Sequence, residues 1–103
     1  MRVTQARTAP APTIIRLPSR VDLVIAPFFA ADLKRKTKPG AVIVLDMSQT
    51  QFVDPSMMNI FLSGVIRCHT EGAQLVARNM SLQVRQVFQR AGLLKHLQEH
   101  GTH

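Results

Sequence analysis

The sequence predicts an α/β fold, a mixed central β-sheet of four to five strands with helices packed on it, and three observations predict it. Short apolar, β-branched runs alternate along the chain with stretches of helical periodicity, the pattern of a mixed or parallel sheet joined by right-handed crossovers. Residues 41–45 (Ala-Val-Ile-Val-Leu) are apolar without alternation, as a central strand covered on both faces requires. At 103 residues and 46% hydrophobic content the chain has material for one core and no room for a second. A single domain over residues 1–103 is therefore expected.

The elements follow in order. Residues 2–7 alternate charged or polar with small side chains, an edge-strand pattern that the prolines of residues 8–12 turn aside. Ile14, Ile15 and Leu17 mark a strand over residues 13–17, ended by Pro18. A loop with Arg20 and Asp22 leads to a helix over residues 26–36, where Phe28, Phe29 and Leu33 have helical spacing and Pro27 sits in the first turn, where its missing N–H costs no hydrogen bond. Pro39 and Gly40 stop it. After the central strand, Phe52 and Val53 re-enter the core. A second helix runs over residues 56–68, with Met57, Ile60, Phe61, Val65 and Ile66 as its apolar residues and Glu71 and Gly72 at its exit. Leu75, Val76 and Ala77 form a strand. Asn79 and Ser81 can cap a third helix, whose Val84, Val87, Phe88 and Ala91 fall at i, i+3, i+4 and i+7, with Gly92 suited to the left-handed position after it. Leu93, Leu94 and Leu97 predict a short helix packing back, and residues 98–103 a frayed tail.

Composition excludes several functions. The single cysteine, Cys68, cannot form an internal disulfide, and on an apolar helix face it reads as a small buried hydrophobe, so a reducing, cytoplasmic setting is expected. No signal peptide is legible, and the apolar runs are far shorter than the roughly 20 residues that cross a bilayer. His96 and His100 stand one helical turn apart, but no third ligand is near, so no metal site is expected. No phosphate-binding glycine loop, nucleophile elbow or cofactor motif is present; the protein is expected not to be an enzyme and no small-molecule substrate is evident. The net charge of +7 raises nucleic acid or an anionic surface as a runner-up. Against it, the cations are scattered, and the one run (Lys34, Arg35, Lys36, Lys38) complements a helix C-terminus. There is also no Trp or Tyr to stack bases.

Residues 44–59, VLDMSQTQFVDPSMMN, carry the most chemistry. A buried strand ends at Asp46, a polar excursion follows, and Asp54 opens a helix. Asp54 is a favourable N-cap, Pro55 fits N1, and Ser56 falls at N2, its hydroxyl near free backbone N–H groups. Phosphorylated there, Ser56 would carry about −1.5 to −2 charges. A helix N-terminus tolerates such an anion, whereas an apolar or acidic partner pressed against it does not. Modification would then eject a partner without unfolding the domain. On position alone, the plainer reading is that Ser56 merely starts a helix.

Four segments, in order and spacing, resemble the STAS domain family, of the type formed by bacterial anti-sigma-factor antagonists. RVDLVIAP (20–27) resembles the family's acidic loop entering its first helix, VIVLDMS (42–48) its central strand, FVDPSMM (52–58) its phosphorylation loop, and ARNMSLQVRQVFQRAGL (77–93) its last strand and helix. The resemblance covers residues 13–93. It implies a protein-binding switch in transcription regulation, whose partner is an anti-sigma factor that is also a serine kinase. It further implies that Ser56 is the phosphorylated serine, that Asp54 is the aspartate before it, and that Asp22 faces the same surface, bordered by Asn79 and Ser81. Two residues depart from the pattern: Pro55 replaces a small residue and Met57 a glycine. The long Met57 side chain would either shield the hydroxyl or anchor a different partner, and Met57 is taken with the others as a partner-binding candidate. A STAS scaffold or accessory subunit that binds constitutively is the alternative. A homodimer is compatible with either.

Overall fold

The computed structural model describes residues 11–97. The edge strand expected over residues 2–7, most of the turn after it, and the tail over residues 98–103 lie outside the described residues. Among the described residues, five strands and four helices follow in the order β1 (Thr13–Arg16), β2 (Arg20–Val21), α1 (Ala26–Lys36), β3 (Val42–Asp46), β4 (Phe52–Val53), a 3-10 turn (Pro55–Met57), α2 (Met58–Thr70), β5 (Gln74–Arg78), α3 (Leu82–Arg90) and α4 (Leu94–Leu97).

The main sheet has the order β1-β3-β5, and every pairing among the described residues is parallel. In register, Thr13 meets Ile43 and Ile43 meets Leu75; two residues on, Ile15 meets Leu45 and Leu45 meets Ala77. Because side chains alternate across a strand, these residues share one face. All except Thr13 belong to the core beneath the helices. Val44 and Val76 alternate to the opposite face and are buried too, which agrees with the expectation of a central strand covered on both sides.

A second, shorter parallel ladder joins β2 to β4. Partners lie 30 positions apart in the first ladder (Thr13 with Ile43) and 32 apart in the second (Arg20 with Phe52). The same two strands therefore separate and resume, with two extra residues on the β3–β4 side. Thr50, buried in that excursion, closes the gap: its hydroxyl donates to Pro18 O at 2.9 Å and lies 3.4 Å from Leu17 O. Gln49 Nε2 also donates to Leu17 O at 3.1 Å. The N–H groups of Gln51 and Phe52 then both reach Ser19 O, and the second ladder begins. The sequence predicted only a loop at Arg20; the two-residue β2 is too short for any periodicity to reveal.

The helices close the core through a run of phenylalanines. Phe61 of α2 is fully buried between Phe29 of α1, with ring centroids 5.1 Å apart, and Phe88 of α3, 4.9 Å away and edge-on. The termini read as the sequence predicts. Ser81 Oγ accepts the Val84 N–H at 3.2 Å at the start of α3, and Gly72, with φ of +77°, supplies the left-handed turn after α2. Three expected core residues turn outward. Phe28 is 75% exposed, because the stripe of α1 that meets the core runs through Ala26, Phe29 and Leu33 and a neighbouring position points about 100° away. Ile66 is exposed for the same reason beside Phe61, Gly64 and Cys68. Phe52 is partly exposed, its neighbour Val53 taking the core position.

Candidate functional site

The site grows from the end of the β2–β4 ladder. The Asp54 N–H donates to Val21 O at 2.9 Å, prolonging the ladder by one residue. Its backbone is extended, and its carboxylate accepts the Ser56 N–H at 2.9 Å, so Asp54 caps the turn that Pro55 opens. The first turn is 3-10, not α, closed by the Met57 N–H on Asp54 O at 2.9 Å. The Ser56 N–H beside it holds the Asp54 carboxyl below its ordinary pKa, helped by the Ser56 hydroxyl and by the charge of Arg20. Ser56 is exposed.

Met57 is a correction. Expected as a shield or a partner anchor, it is fully buried, its side chain packed into the hydrophobic core. A residue with no exposed surface offers nothing for a partner to touch. The turn advances the chain so that residue 57, not 56, points inward, and Met58 is buried after it. No Met57 side chain therefore stands over Ser56.

Asp22 follows β2 as Asp54 follows β4, one residue beyond the in-register pair Val21 and Val53. Its Oδ1 accepts the Val24 N–H at 3.0 Å, and its Oδ2 takes Arg20 Nε at 3.0 Å. Arg20 also lies 4.5 Å over the Phe52 ring, its partner across the ladder. Arg20 thus spans the two strands, touching Asp22 directly and Asp54 through its field. Asp22, Asp54 and Ser56 are brought together at the carboxyl end of this ladder, where open parallel sheets place their functional crevices.

Asn79 and Ser81 belong to a neighbouring group. Asn79 has φ of +63°, a left-handed conformation that asparagine tolerates, and its Nδ2 donates to Asp46 Oδ1 at 3.3 Å. The Ser48 N–H donates to the same oxygen at 3.0 Å, and Arg16 Nε lies 3.3 Å from the other. These contacts, led by the Ser48 N–H and then Asn79, bring the Asp46 carboxyl down to about 2. Asn79 is therefore tied to Asp46 at the end of β3, and Ser81 is engaged in capping α3. The link to Ser56 is indirect, through α3 packing against β4. Asp46 is a site residue that the sequence reading missed. Its signal was present: an aspartate at a strand end with a serine two residues on is the pattern of a side chain bonding its own backbone.

Exposed apolar residues also border both groups. Leu23 and Val24 follow Asp22, and Leu82 follows Ser81; all three are more than half exposed. Among the described residues, no group of three potential ligands stands ready for a metal ion. Cys68 is buried, 3.8 Å from the Thr37 hydroxyl, and desolvation pushes its thiol pKa up, the reverse of what a nucleophile needs. Among the described residues no helix is long and apolar enough to cross a membrane.

Comparison with known proteins agrees with this architecture. The family model of the STAS domain matches residues 3–102. No curated protein matches the chain. Among solved structures, the unphosphorylated anti-sigma factor antagonist SpoIIAA superposes with a TM-score of 0.67 at 22% identity, over 88% of this chain and 82% of that one. A sulfate transporter family protein from Wolinella succinogenes superposes with a TM-score of 0.70 at 18% identity, over 92% of this chain and 79% of that one. At these identities the likeness is one of fold.

Proposed function

The chain belongs to the STAS domain family, and from that premise we propose that it is a protein-binding switch of the anti-sigma-factor-antagonist type, released from its partner by phosphorylation of Ser56. The observation that carries this reading is the arrangement of residues 54–57: Ser56 exposed in the first turn, its N–H held by Asp54, and Met57 turned into the core. Unmodified, the Asp22, Asp54 and Ser56 face is small-featured and edged by Leu23 and Val24, a surface against which a partner can close. Asn79 and Ser81 form its border. A phosphoryl group on Ser56 would add about −1.5 to −2 charges beside the Asp54 carboxylate. At the exposed turn of the free domain, water and salt screen that charge, whereas a desolvated interface leaves it uncompensated. The cognate partner is an anti-sigma factor with serine kinase activity, in the cytoplasm, and its capture frees a sigma factor for transcription.

The experiment is to incubate the protein with its partner kinase and ATP, map phosphate by mass spectrometry, and measure partner binding for Ser56→Ala and Ser56→Asp. The reading expects no label in Ser56→Ala and lost binding in Ser56→Asp. Labelling of Ser56→Ala to the wild-type extent would show the site to be elsewhere. Ser56→Asp binding at wild-type affinity would favour the second reading, a STAS scaffold or accessory subunit that binds constitutively. Two observations support that alternative: Pro55 departs from the antagonist pattern, and the fold is equally similar to that of a sulfate transporter family protein.

A further inference from the structure

Arg20 stands on the outward face of the β2–β4 ladder, whose Val21 and Val53 are turned into the core. Because side chains alternate along a strand, Asp22, Phe52 and Asp54 share that outward face with it. The guanidinium is held from two sides: Nε donates to Asp22 Oδ2 at 3.0 Å, and Cζ lies 4.5 Å over the Phe52 ring. Asp22 is in turn fixed by the Val24 N–H at 3.0 Å. Arg20 is 68% exposed, yet an acid and an aromatic ring set its direction, towards the carboxyl end of the ladder.

What this hold leaves over is the end that binds anions. A guanidinium carries five N–H donors, of which Asp22 takes the one on Nε; among the described residues, Nη1 and Nη2 donate to nothing. Those two nitrogens form the fork that grips a phosphate bidentately. The Asp54 carboxylate, turned to the Ser56 N–H, does not take it. Both the Ser56 hydroxyl and the Arg20 charge act on that carboxylate, so a single side chain separates the fork from the hydroxyl. A phosphoryl group on Ser56 would extend past the carboxylate, carrying more charge than Asp54 and no competing backbone donor.

We propose that Arg20 is the internal receptor for a phosphoryl group on Ser56, its Nη fork taking two phosphoryl oxygens while Asp22 and Phe52 hold it in position. The inference rests on Ser56 being the modified residue and adds how the modification acts. Pinned on Arg20, the phosphoryl group lies across Phe52 and Asp22 and covers the face on which a partner closes, instead of extending into solvent. The test places phosphoserine at position 56 during synthesis of the full chain, so no kinase is needed, and follows its second ionisation, ordinarily at a pH of about 6, by phosphorus NMR. Asp22 and Asp54 raise that value in every variant alike, so a difference between variants reports the cation. Phosphoserine should ionise about half a pH unit lower with Arg20 than with Arg20→Gln, about a threefold change in proton affinity. Arg20→Lys keeps the charge but not the fork and should recover only part of the shift. Arg85→Gln removes a cation of α3, the helix packed against β4, and should change nothing. Equal ionisation with and without Arg20, the full shift retained by lysine, or a loss as large with Arg85→Gln would each overturn the proposal. A kinase that leaves Ser56 unlabelled would sink the switch and not this measurement, and an absent shift would sink the receptor and not the switch.

Discussion

Replacing Thr50 by valine tests whether the excursion between β3 and β4 is what presents the Ser56 turn. The two side chains are nearly the same size, so the packing around residue 50 is kept and a hydroxyl becomes a methyl. The wild-type hydroxyl has one proton, shared between Pro18 O at 2.9 Å and, more weakly, Leu17 O at 3.4 Å. Leu17 O keeps Gln49 as a donor, so one carbonyl, that of Pro18, loses its side-chain donor. A net hydrogen bond contributes about 0.5–1.5 kcal/mol, and the carbonyl of the exposed Pro18 can turn to water once its donor is gone. The expected loss is about 1 kcal/mol, read as a lower urea midpoint at unchanged slope. Because the hydroxyl holds the resumption of the ladder, hydrogen exchange should also quicken at the N–H groups of Gln51, Phe52 and Asp54, whose acceptors are Ser19 O and Val21 O, while the β3 and β5 amides stay protected. Thr50→Ser, which retains the hydroxyl, should leave those three amides as slow as in wild type. A loss under about 0.5 kcal/mol with unaltered exchange would refute the reasoning, since the excursion would then be held by something other than this hydroxyl.

Two further outcomes follow from the same structure. Phe61→Ala should destabilise the domain by about 3–5 kcal/mol in urea unfolding, because the cavity opens between two aromatic neighbours that cannot both collapse into it. Asp46 makes a pH-dependent contribution: its folded pKa of about 2 is below the ordinary 3.8, so its stabilisation is complete above about pH 4 and is lost as pH falls towards 2. Thermal unfolding from pH 5 to pH 2 should therefore show Asp46→Asn less stable than wild type at the upper end, with the difference shrinking through that window. A gap constant with pH would place the loss outside the carboxylate's ionisation.

The parts of the fold that the sequence made legible are those governed by local chemistry. Asp54, Pro55 and Ser56 occupy the cap and first two positions of their turn because an aspartate oxygen, a fixed proline φ and a free N–H are properties of three adjacent residues. The continuous apolar run into β3 marks the centre of the sheet for a similar reason, since only a strand covered on both faces tolerates it. What stayed hidden depends on rotation and on distant partners. Phe28, Ile66 and Met57 are apolar residues in helical turns, and composition cannot say which side of the turn each takes; a 3-10 start shifts the phase enough to send Met57 inward and leave Ser56 clear. Asp46 and Asn79 are 33 positions apart, and no local pattern announces that β3 and β5 end side by side. The direction of Met57 matters most for function. With glycine absent at that position, a switch at Ser56 survives only if the replacing side chain leaves the serine's surroundings. Burying it in the core achieves that and also anchors the turn, so the departure from the antagonist pattern becomes part of what holds the serine in place.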